Sequence, residues 1–181
     1  MKLIYVGSSR PEAIAQEYLR RGSKINFAGM TLQNALLDGL CQYAKDFNII
    51  TSWSISPFPK VKQIYFHPED IEFKGNMNQY RFVGIFNLPV LNLFSKFIRT
   101  RKELKRQLKK GEGNVLVYET YSPFLLAVAT LSKRIVKAIV IVPDLPDYMH
   151  GSKNVIRRFL KKLDSKLINW SLKKFDGYIL L

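Results

Sequence analysis

Cysteine is nearly missing from this 181-residue chain, where Cys41 stands alone. An intrachain disulfide is thereby excluded, and one thiol cannot build a structural metal site. Two histidines add little, so no metal site and no cofactor are expected of this domain, and a reduced, cytosolic setting is the default expectation. The first residues lack the charged start, apolar middle and small-residue cleavage site of a secretion signal. No apolar run approaches the roughly 20 residues needed to span a bilayer. Neither G-x-G-x-x-G nor G-x-x-x-x-G-K-[ST] occurs, which removes both common phosphate loops. Acids are scarce as well: 14 Asp and Glu stand against 29 Lys and Arg, giving a net charge of +15.

That excess points to a polyanion, whether nucleic acid, an anionic membrane surface or a phosphorylated substrate. It is unevenly placed. Lys96 to Lys110 holds eight basic residues against Glu103, and Lys153 to Lys174 holds eight against Asp164. The length suits one domain, and 47% hydrophobic residues suffice to fill one core.

Apolar β-rich runs alternate with helical spacing along the chain. Met1–Ser8, Asn48–Ile55, VLVYE (115–119) and VKAIVIV (136–142) read as buried strands. Ile64–Phe66 and Arg81–Pro89 also read as strands around a polar turn at Gly75-Asn76. They form either an antiparallel pair or one contribution to the main sheet. Thr31 reads as the N-cap of a helix carrying Leu32, Leu36, Leu40, Tyr43 and Ala44. A second helix over 90–110 sets Leu93, Phe97, Leu104 and Leu108 against Lys102, Lys105, Arg106 and Lys109. Ser122-Pro123 reads as N-cap and first residue of a third helix. Asn154–Lys174 reads as a fourth, basic helix with Ile156, Phe159, Leu160, Leu163, Leu167 and Trp170 turned inward. Uniformly apolar strands separated by helices predict an α/β fold: a Rossmann-like open, mostly parallel sheet with helices on both faces. The sequence stops at Leu181 within an apolar strand, from which a chain cut before a partner half is expected.

Open parallel sheets bind ligands beyond the carboxyl ends of their strands. The loops there contain Gly7, Ser8 and Arg10, which either offer N–H groups and a cation to an oxyanion or form a βα turn with an exposed Arg. Gly29 lies in the segment before the first helix. Glu119, after VLVYE, can bond a substrate or a neighbouring helix. In PDLPDYM, Asp144 can orient a hydroxyl or accept its proton. Asp147 is a candidate contact or a turn cap, and His150 a candidate polar contact.

GNVLVYETYSPFLLAVATLSK, KAIVIVPDLPDYM, a long basic helix and FDGYILL, in that order, resemble the N-terminal half of bacterial glycosyltransferases of family 4. INFAGMTLQNALLDGL (25–40) is similar to their early loop and first helix. The resemblance implies two Rossmann-like domains in the GT-B arrangement and transfer of a sugar, with retention, from a nucleotide-sugar donor. It implies that this half serves the acceptor, a glycan or lipid-linked molecule. The glycine-containing loop after the first strand would approach the donor. The absent C-terminal partner domain would bind most of the nucleotide. Asp144 stands where the family often has a His-Asp or His-Glu pair, with Pro143 in place of the histidine. These 181 residues alone are expected to lack transferase activity and to bind nucleotide-sugar weakly or not at all.

In that setting Lys96, Arg99, Arg101 and Lys105 on one helix, and Arg157, Arg158, Lys161 and Lys162 on the other, are candidate contacts to an anionic membrane, at its cytoplasmic face. Each such charge contributes on the order of 1 kcal/mol near the surface. A nucleic-acid-binding α/β domain is the alternative that the charge allows. No helix-turn-helix, zinc pattern or RNP-like motif accompanies it.

Overall fold

A computed structural model describes residues 2–11, 16, 19, 27–44, 46–73, 76–108, 113–131, 136–143 and 155–181, with backbone alone for 72–73, 76–79 and 155–159. The elements run β1 (Lys2–Gly7), α1 (Phe27–Tyr43), β2 (Asp46–Ser52), β3 (Tyr65–Phe66), β4 (Glu69–Phe73), β5 (Asn76–Val83), β6 (Ile85–Phe86), α2 (Leu91–Leu108), β7 (Gly113–Tyr118), α3 (Ser122–Ala129), β8 (Val136–Val142), α4 (Val155–Leu172) and β9 (Gly177–Leu180). Seven strands form one sheet in the order β4-β5-β2-β1-β7-β8-β9. All its pairings are parallel except β4 with β5 at one edge. The expected Rossmann-like α/β architecture is the one observed.

Two cores explain why both sheet faces are apolar. Tyr5, Phe47, Ile49, Tyr80, Phe82, Leu116 and Tyr118 face α1 through Leu37. On the opposite face Ile4, Val6, Val115, Val117 and Val140 pack beneath Leu104, Phe124, Leu125 and Ile168 of α2, α3 and α4. Alternate residues of a strand point to opposite faces, so a strand covered on both sides must be apolar throughout. Among the described residues no helix is long and apolar enough to cross a membrane.

Several local expectations are corrected. The first helix is already formed at Phe27, so Thr31 is not its N-cap and Gly29 lies in its first turn rather than in a loop. Tyr121, in extended conformation, is the N-cap of α3, and Ser122 is its first residue. Both alternatives for the middle strands hold: β3 pairs antiparallel with β6 in a separate small sheet, while β5 joins the main sheet beside β2.

The helix faces differ too. In α2 the buried residues are Ser95, Lys96, Thr100, Glu103, Leu104, Gln107 and Leu108, and Leu93 is exposed. In α4, Leu160, Leu163, Leu167 and Trp170 are exposed instead of inward, and Ile168 and Ser171 are buried. The helix leans on α3 through that second stripe, which leaves the more apolar one outward.

Candidate functional site

The strand order reverses between β1 and β7, because the chain builds leftward through β2 and β5 and then crosses back to β7, β8 and β9. At such a switch point the loops leaving the two strands splay apart and open a crevice at the carboxyl edge. A cavity of about 360 Å³ lies there, lined by Ser8, Ser54, Ile55, Ser56, Lys96, Glu119 and Tyr121.

Three loops and one helix build it. Thr51 Oγ1 donates to the Ser9 carbonyl at 2.8 Å and ties the loop after β1 to β2. Glu119, directly after β7, holds φ at 75°, a left-handed conformation costly for any residue with a side chain. Gln33 of α1 donates to Glu119 Oε1 at 3.0 Å, and Tyr5 Oη donates to Gln33 Oε1 at 2.9 Å. The buried Tyr5 ring thereby positions the carboxylate from beneath. Burial, with the Glu119 charge next, raises the Tyr5 pKa well above the phenol range, so it remains a donor. A Cβ on Gly7 would lie 2.7 Å from the Tyr5 ring. Because Tyr5 is fully buried and cannot give way, Gly7→Ala is expected to destabilise the chain by about 1–3 kcal/mol. A denaturant titration that leaves the midpoint unchanged would refute that expectation.

The crevice lining carries a cation, Lys96, and a carboxylate, Glu119, and a second cation, Arg10, is buried close enough to act on Lys96. Arg10 and Lys96 are each only 6% exposed. Lys96 Nζ donates to Tyr121 Oη at 3.3 Å and lies 5.3 Å from that ring's centre. Desolvation, reinforced by the Arg10 charge, lowers the Lys96 pKa to about 8. A lysine held this way gains most from an arriving anion, since the site has already stripped its water and supplies little compensation.

Of the residues singled out by sequence, the crevice gathers Ser8 and Glu119 in its lining, and Gly7 lies just before Ser8 against the Tyr5 ring. Arg10 is buried within electrostatic reach of Lys96, not exposed on a turn. Gly29 sits in α1. Asp144, Asp147 and His150 lie outside the described residues. Lys96 faces the crevice instead of the outer surface expected for it. Arg99 stacks over Tyr65 and Phe86, and Arg101 donates to Thr130 Oγ1 at 2.9 Å, whereas Lys105 is exposed. On α4, Lys161 and Lys162 are exposed, and only the backbone of Arg157 and Arg158 is described.

Asn87 was not flagged by the sequence. It is fully buried, and its Nδ2 donates to the carbonyls of Ser56, Val61 and Gln63 at 3.2–3.3 Å, fixing the loop that forms one crevice wall.

Fold and site together define an open α/β sheet with a polar crevice at its switch point, lined by a buried lysine and a carboxylate. Comparison with protein-family models, with curated proteins and with solved structures yields no match to this chain. The likeness to family 4 glycosyltransferases therefore rests on its own motifs and their order.

Proposed function

We propose that this chain is the acceptor-side half of a retaining glycosyltransferase and that its switch-point crevice takes the phosphate group of a phosphorylated substrate. The supporting observation is the pairing of Lys96 and Arg10, both almost fully buried, beside a carboxylate at the end of β7. Lys96 is desolvated, with the neutral Tyr121 hydroxyl as its hydrogen-bond partner, so an arriving phosphate offers it charge compensation. In this reading Lys96 and Arg10 hold phosphate oxygens, and Glu119, fixed by Gln33, accepts a hydrogen bond from a sugar hydroxyl. Asp144 is the candidate base or orienting group, and a C-terminal partner domain supplies the rest of the donor site. The phosphate belongs either to the nucleotide-sugar or to a lipid-linked acceptor.

Calorimetric titration separates these. Inorganic pyrophosphate tests the shared chemistry, a nucleoside diphosphate the donor source, and a soluble short-chain prenyl phosphate the acceptor source. The acceptor-side reading expects the prenyl phosphate to bind more tightly than the nucleotide. Tighter nucleotide binding, or sugar transfer by these 181 residues alone, would overturn it.

Affinity should also depend on pH in a specified direction. Phosphate binds the protonated Lys96, whose pKa in the free protein is about 8. The prenyl phosphate is the ligand for this test, because a phosphate monoester is almost fully ionised above pH 7 and its own charge changes little there. The dissociation constant is therefore expected to stay level from pH 7 to 8 and to rise by up to about tenfold per pH unit above that. A flat profile from pH 7 to 10 would exclude Lys96 as the phosphate contact.

A further inference from the structure

The start of α2 presents a surface that the crevice does not use. Leu91, Phe94, Ile98, Lys102 and Lys105 are all exposed and follow one another at three- and four-residue spacing, which makes a single outward stripe. Its first half is apolar and its second half cationic. Val90 and Leu93 widen the apolar end, with Val90 61%, Phe94 58% and Ile98 57% exposed. Val90 also holds φ at 66°, a conformation that β-branched residues rarely adopt, so this apolar residue is kept outward despite strain.

The other cations of α2 are engaged elsewhere: Lys96 in the crevice, Arg99 on two rings, Arg101 on Thr130 and Arg106 on Glu103 at 2.7 Å. Lys102 and Lys105 have no carboxylate partner among the described residues.

We infer that this exposed stripe of α2 docks on an anionic lipid bilayer, the helix lying along the interface. Leu91, Phe94 and Ile98 then enter the boundary between headgroups and acyl chains, to which interfacial apolar faces sink by about 5–10 Å. Lys102 and Lys105 continue the same stripe and meet lipid phosphates and carboxylates at headgroup level. A second copy of this chain fits less well. It would have to bring carboxylates to Lys102 and Lys105 from a protein with 14 acids and a net charge of +15. The inference is independent of what the crevice binds, although Lys96 places the crevice on the same helix.

The test is flotation of the chain with vesicles of phosphatidylcholine alone and of phosphatidylcholine with 30% phosphatidylglycerol. Recovery is expected with the anionic vesicles and to fall as salt rises. The double substitution Phe94→Glu with Ile98→Glu should weaken it by about tenfold or more. Lys102→Glu with Lys105→Glu should weaken it by about fivefold or more per site. These positions are exposed, and circular dichroism checks that the fold is kept. As a positive readout, Phe94→Trp should give fluorescence that brominated lipid quenches beyond the quenching seen in the parent chain. Equal recovery of parent and Phe94→Glu/Ile98→Glu chains would overturn the inference. So would absent quenching at Phe94→Trp, loss of binding only on Leu163→Glu with Leu167→Glu in α4, or a dimer that the α2 substitutions dissociate.

Discussion

Lys96→Met is expected to raise the melting temperature of the chain while removing most of its affinity for pyrophosphate. The side chain is 6% exposed, and desolvation with the Arg10 charge brings its pKa from 10.5 to about 8. A depression of that size corresponds to roughly 3 kcal/mol against the charged form. The sign follows from proton counts. Between pH 8 and 10.5 the unfolded chain holds a proton here that the folded chain has lost, so this group makes stability rise with pH. Below pH 8 both states hold the proton and the whole penalty is present. Methionine fills similar space without a charge. It gives up the Tyr121 hydrogen bond and the ring contact, together worth about 1–2 kcal/mol. A net gain of about 1–2 kcal/mol at pH 7 remains, or roughly 2–8 °C in a chain of this size. That advantage should shrink above pH 8 and vanish by about pH 9–10, where the falling penalty no longer exceeds the lost contacts. Binding of pyrophosphate should weaken by about tenfold to hundredfold, the ordinary value of a charge-assisted hydrogen bond. Thermal melts at pH 7 and 10, with and without pyrophosphate, measure both effects. A lower melting temperature with unchanged binding would make Lys96 a structural residue instead.

The inward turn of Lys96 also shows where sequence reading runs out. A run of eight basic residues against one acid reads as a solvated face, and most lysines in such a run are solvated. The buried stripe of α2 nevertheless has a regular sign: Lys96, Thr100, Glu103 and Gln107 are polar at four-, three- and four-residue steps, beside Leu104 and Leu108. Polar residues at core spacing mark either a site or an internal bond. Here Glu103 serves Gln107 at 2.9 Å, and Lys96 serves the crevice. Strands β1, β7 and β8 were legible because they are largely apolar, whereas β5, NMNQYRFV, was read only from Arg81 because its first half is polar. β4 was not legible, since its sequence EDIEF belongs to an edge strand that needs only one partner and tolerates charge. The stripe of α4 was misassigned for a different reason. Spacing identifies an amphipathic helix, but not which of two overlapping stripes a neighbouring helix will cover. Loops gave the location of the crevice through topology alone: Gly7, Ser8, Arg10 and Glu119 follow from strands β1 and β7. Its wall did not, because Asn87 acts through three carbonyls spread from Ser56 to Gln63.

Asn87→Asp is accordingly expected to destabilise the chain by about 3–5 kcal/mol at pH 7, although the two side chains have nearly the same shape. The amide nitrogen donates to three carbonyl oxygens, and the backbone N–H and C=O of Asn87 bond Ile64 at 2.7 Å and Phe58 at 3.0 Å. A carboxylate in its place would aim negative charge at three acceptors in a fully buried position. Breaking a buried polar arrangement into an uncompensated charge costs an amount of this order. The pH dependence identifies the cause. Desolvation and the carbonyl dipoles would raise the folded-state pKa of the introduced carboxyl above its unfolded value near 3.9. The folded state then binds the extra proton, so the penalty shrinks as pH falls through the raised pKa and is largely gone below the unfolded one. One of the three hydrogen bonds would return with that proton. Asn87→Ala, which removes the donor without adding charge, should cost less, about 2–3 kcal/mol, and show no such pH dependence. Denaturant midpoints of both variants and the parent at pH 7 and pH 4.5 compare these expectations directly. Equal costs for the two variants at pH 7 would mean that the carbonyls do not face the residue as described. Since the same three carbonyls hold the loop behind Ser54, Ile55 and Ser56, Asn87→Ala should also weaken pyrophosphate binding at temperatures where the chain is still folded.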